Sequence, residues 1–186
     1  MQLFKLSMLT MVLGLFLASV IHAGEPFAPM MPMAEKPPEE LGISEKDWKQ
    51  MLALMAQQSA QESTVPSKHE VGVPAPRNSF YFASGDMGEI KFVALVSQDD
   101  VDELRKFYKD SLDQMPGWKW SDEFSMFHKS EDPLTMQKIM SMSIPVIEIE
   151  QVNEGTLAFM FMADEKFKAS LKSLVKIAYY PNKSQL

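Results

Sequence analysis

Apolar residues recur along this chain at several spacings, and each change of spacing marks where one predicted element gives way to the next. Met8 to Ile21 is a nearly unbroken apolar run. Ser44, with Asp47 three residues on, opens a segment in which Trp48, Met51, Leu52 and Met55 return at helical spacing through about Glu62, and this predicts an amphipathic helix. Phe80-Tyr81-Phe82 and the apolar, β-branched run Ile90 to Val96, parted by Gly85-Asp86-Met87-Gly88, predict two strands. Ser97 is the expected cap of a second helix, with Asp100 at its third position and Asp99, Asp100, Asp102 and Glu103 crowded where the helix dipole favours negative charge. Val101, Leu104, Tyr108, Leu112 and Met115 form its apolar stripe, and Pro116-Gly117 stops it.

Beyond that stop, Trp118-Lys119-Trp120 and Phe124 to Lys129 predict a hairpin around Ser121-Asp122-Glu123. Asp132-Pro133 suits the start of a short helix carrying Leu134, Met136, Ile139 and Met140. Pro145 to Val152 alternates as a half-exposed strand does, Thr156 to Ala163 is a nearly continuous apolar run that predicts another strand, and Asn153-Glu154-Gly155 is the expected turn between them. Residues 164–180 are ambiguous: Phe167, Leu171 and Leu174 fit a helix, whereas Val175 to Tyr180 fits a strand, and the expectation is a short helix followed by that strand. One strong helix among short strands and antiparallel hairpins implies an α+β fold, a twisted antiparallel sheet with helices packed on one face.

Two proline-bearing stretches divide the chain. Residues 24–40 hold five Pro and no hydrophobic period, and TVPSKHEVGVPAPRN (64–78) holds three more. The expected organisation is therefore a leader (1–23), a Pro/Met-rich tail (24–43), the amphipathic helix (44–63), a connector (64–78) and the α+β domain (79–186). In the leader, Lys5 precedes the apolar run, and Ile21-His22-Ala23 precedes Gly24, the order of a cleavable signal peptide. Retention as an anchor is the alternative, but the 14 residues from Met8 to Ile21 fall short of the roughly 20 that a spanning helix needs. No Cys follows the run, which excludes a lipid-modified signal and all thiol chemistry. The expected location is periplasmic or secreted.

The chain carries a net charge of −7, one unit more negative once Lys5 leaves with the leader, and no Lys/Arg cluster. Nucleic acid and anionic lipid are therefore disfavoured partners. Phe107-Tyr108-Lys109-Asp110-Ser111-Leu112 followed by Gly117-Trp118 resembles small secreted bacterial domains of uncharacterised function, in which a helix reading FYxxxL leads to a GW that enters the next strand. The resemblance spans at most residues 73–186; it implies an exported α+β module and no activity.

Candidate chemistry is sparse. There is no G-x-S-x-G elbow, S-x-x-K motif, P-loop or dinucleotide fingerprint, and His69 and His128 alone do not make a zinc site. The expectation is a non-enzymatic protein that binds a periplasmic protein partner or a small ligand, with no cofactor. The apolar face of the Trp48 helix (Trp48, Met51, Leu52, Met55) is a candidate partner surface, weighed against its packing back on its own domain. The one compositional oddity is methionine, 16 in the chain, of which Met1, Met8 and Met11 lie in the leader. Thioether sulfur is a soft donor suited to Cu(I). Met30, Met31 and Met33 in the tail, and Met160 with Met162 on one face of a presumed strand, are the metal candidates of this alternative, against the plain reading that Met fills gaps in a core.

Overall fold

The strands Ile90–Ser97 and Ser173–Tyr179 are apolar along most of their length, and both stand inside the sheet, paired on either side and largely buried. In the computed structural model, which describes residues 25–61, 65–141 and 143–181, six strands form one antiparallel sheet in the order β1-β2-β6-β5-β4-β3. They are β1 (Ser79–Met87), β2 (Ile90–Ser97), β3 (Trp118–Ser121), β4 (Met126–Lys129), β5 (Val146–Gln151) and β6 (Ser173–Tyr179). The helices are α1 (Glu45–Gln61), α2 (Lys68–Val71), α3 (Val101–Leu112), α4 (Met136–Met140), α5 (Glu154–Phe159) and α6 (Glu165–Ser170). The architecture is α+β, as the pattern predicts. The expected leader lies outside the described residues.

Register sorts the side chains by face. Phe127 pairs with Ile147, Ile147 with Ile177 and Ile177 with Val93, while Ile149 pairs with Val175, Val175 with Leu95 and Leu95 with Tyr81. These two apolar rows lie beneath α3, whose Leu104, Tyr108 and Leu112 join the same core. Intervening positions point to the other face, where Ala94, Val96 and Leu174 pack with Phe167 and Leu171 around α6. Helical cover is thus shared: α3 lies on one face, and the α5–α6 connection covers the β1-β2-β6 end of the other.

Several local expectations are corrected. Asp100, not Ser97, caps α3: its carboxylate accepts from the Asp102 and Glu103 amides at 3.1 and 2.9 Å, and Glu103 reaches back to the Asp100 amide. Ser97 is instead the last residue of β2, and its Oγ accepts from Asp99 N–H. Thr156 to Ala163 is not a strand. Asn153 Oδ1 accepts from the Thr156 amide at 2.9 Å and starts α5, so the expected Asn-Glu-Gly turn is an N-cap. Gly117 does provide the sharp exit towards β3, at φ 86°.

The proline-bearing tail and connector are parts of the core rather than appendages. Phe27, Ala28, Val65, Val71 and Val73 are all buried in the cluster beneath α3. Proline lacks an N–H but keeps its carbonyl, and the strap uses it. Phe27 N–H donates to Pro66 O, Tyr81 N–H to Pro29 O and Asp164 N–H to Pro32 O, at 2.8, 2.7 and 3.1 Å. The connector is held further by an ion pair between Lys91 Nζ and the buried Glu70 carboxylate at 3.0 Å.

Candidate functional site

Residues 25–34 cross the sheet edge as an extended strap, pinned at both ends. Near β1, Met30 bridges Tyr81 in parallel. At the other end Ala34 N–H donates to Met162 O at 2.8 Å, Met33 bridges Ala163, and the Trp48 indole N–H donates to Ala34 O at 2.9 Å. Between these anchors the strap borders a cleft of about 90 Å³ that is lined also by the Phe159–Ala163 segment at the end of α5 and by Tyr81 and Phe82 of β1. A bulge between Tyr81 and Ala83 breaks the strand's alternation there, so two consecutive residues border the same space.

All five methionines singled out as soft donors line this cleft: Met30, Met31, Met33, Met160 and Met162. The route is not the expected one. Met160 and Met162 share no strand face; Met160 sits at the C-terminal cap of α5 and Met162 in the turn beyond it. Met160 and Met162 are buried, Met31 packs against the same cluster as Met160, and Met30 at the mouth is 47 % exposed. Phe159 is 74 % exposed beside it. The remaining lining residues are aromatic or Ala, so among the described residues no carboxylate, imidazole or ammonium group lines the space. Among the described residues there is no group of three or more His, Asp or Glu side chains placed to hold a metal ion.

The partner surface proposed for the Trp48 helix is different in the structure. Trp48 is fully buried, so it anchors α1 to the strap and is withdrawn from any docking face. Met51 and Leu52 are half-buried, and the Met55 side chain lies outside the described residues. No helix among the described residues is long and apolar enough to cross a membrane.

Lys176, on the face opposite α3, lies 2.9 Å from Glu150 and 3.3 Å from Glu148. Burial pulls its ammonium down, but the two carboxylates outweigh this and the net shift is upward. His128 is buried and no described group bonds its Nδ1; burial, then the charges of Lys119 and Lys138, hold its pKa below the ordinary value. Tyr108, under α3, is fully buried, and burial pushes its hydroxyl far above the usual phenol range. Ser79, Ser97 and Ser173 stand in register across β1, β2 and β6, all buried. Compared with known proteins, the chain matches no family model, no curated protein and no solved structure.

Proposed function

We propose that this is an exported, non-enzymatic binding protein that works in the periplasm and holds a small ligand in the cleft between the strap and the Phe159–Ala163 segment. The observation that carries the reading is convergence: two methionine groups more than a hundred residues apart in the chain border one solvent-open space. A core that merely needed filling has no reason to leave that space open at a rim of exposed Met30 and Phe159. The apolar leader with its Ile-His-Ala end supports export. Size limits the ligand. At about 90 Å³ the cleft is smaller than the roughly 150 Å³ that takes a benzene ring, so what enters it fully is an ion or a group of a few atoms.

A second reading follows from the exposed rim. A partner protein covering Met30 and Phe159 would insert one short apolar side chain, with the flexible thioethers adapting to it. Methyl-labelled methionine in the mature chain separates the possibilities. Titration with a size-fractionated periplasmic extract should shift the methyl signals of Met30, Met31, Met33, Met160 and Met162 as a set while those of the exposed Met136 and Met140 stay put. If the low-mass fraction moves the cleft set, the small-ligand reading stands; if only the protein fraction does, the partner reading replaces it. Shifts confined to Met136 and Met140 would overturn both.

A further inference from the structure

We infer that the cleft is a site for a soft monovalent cation, Cu(I), held by thioether sulfur from both walls. This deepens the binding reading above and rests on it. The thioether-bearing residues that line the cleft are Met31 and Met33 from the strap and Met160 and Met162 from the opposite wall, together with Met30. Thioethers are neutral and soft. They suit Cu(I), whereas Mg²⁺ and Ca²⁺ require oxygen and Zn²⁺ takes thiolate, imidazole or carboxylate, none of which lines the cleft among the described residues.

Three features make the arrangement more than a collection of sulfurs. The walls are fixed to each other by backbone bonds, with Ala34 N–H on Met162 O and Asp164 N–H on Pro32 O, so the two methionine-bearing segments, distant in sequence, are joined before any ion arrives. Neutral donors leave the charge of a monovalent ion uncompensated in an apolar site; the aromatic side chains of Phe82, Phe159 and Phe161 that line the cleft are a source of cation–π attraction for it. Finally, the chain contains no Cys, and in an oxidising compartment a thioether persists as a soft donor where a free thiol is lost to oxidation.

The test uses the mature protein with Cu(I) under anaerobic conditions against a competing chelator, and Ag(I) as a redox-inert probe in methyl NMR. The expected result is one ion per chain, with the methyl signals of Met31, Met33, Met160 and Met162 shifted together and Zn²⁺ without effect. Met33→Leu and Met162→Leu keep size and apolarity, so the fold survives; each should lower Cu(I) affinity by about tenfold or more. Binding that is unchanged in the double variant, or Ag(I) shifts confined to Met136 and Met140, would overturn the inference. Should Cu(I) and Ag(I) leave the cleft signals still while the low-mass extract moves them, the metal inference fails and the binding reading stands; silence towards both defeats the two together.

Discussion

His128 carries a burden that its neighbours on β4 do not. It is 4 % exposed, with Lys119 and Lys138 adding positive charge nearby, so the native state resists its protonation. In the unfolded chain an imidazole titrates near its ordinary value of about 6.5. Above that pH neither state holds the proton and His128 leaves stability unchanged; below it the unfolded chain gains a proton that the native state refuses, and stability falls until the lowered native pKa is passed. Urea midpoints at pH 7.5 and pH 5 should therefore drop further for the parent than for His128→Phe. Equal drops would remove His128 as a source of acid sensitivity.

At the scale of elements, short polar side chains decide where helices begin. The α3 N-terminus has a reciprocal capping box between Asp100 and Glu103, satisfying amides that the helix itself leaves without acceptors. Asp100→Ala should cost about 1 kcal/mol in equilibrium unfolding, with the sheet otherwise intact. An unchanged midpoint would show that the exposed acids of that turn substitute for it. Asn153 does the same service for α5, and with larger consequences. Its cap turns an apolar stretch that reads as a strand into a helix plus a turn, and that conversion brings Met160 and Met162 against the strap.

The whole molecule depends on a segment that looks dispensable in one dimension. Phe27 is 1 % exposed in the core beneath α3, and the strap carrying it spans from Pro66 to Met162 by backbone bonds. Phe27→Ala should destabilise the protein by about 3–5 kcal/mol, the range for emptying a buried aromatic site. The loss should appear as one lowered transition reported alike by sheet circular dichroism and by the cleft methionine methyls. A loss below about 1 kcal/mol, or a strap that melts separately, would detach the strap from the fold.

Much of the architecture was legible from local pattern. The strands β1, β2, β5 and β6, the β3–β4 hairpin, α3 and its glycine exit follow from hydrophobic period and turn chemistry, which act between residues near in sequence. The oddity of methionine was also visible, and so was the set of five that border the cleft. What sequence alone misread was α5, the true cap of α3 and the role of the prolines. An apolar run of eight residues fits a strand or a helix equally well until its cap is satisfied, and a proline-rich stretch carries no period to reveal that it packs. Only the tertiary structure decided that Met30, Met31 and Met33 meet Met160 and Met162, because those contacts are made by carbonyls accepting bonds across more than a hundred residues of chain. Spacing within one segment determines which elements form; which distant side chains share a cavity depends on how the assembled sheet and its strap bring them together.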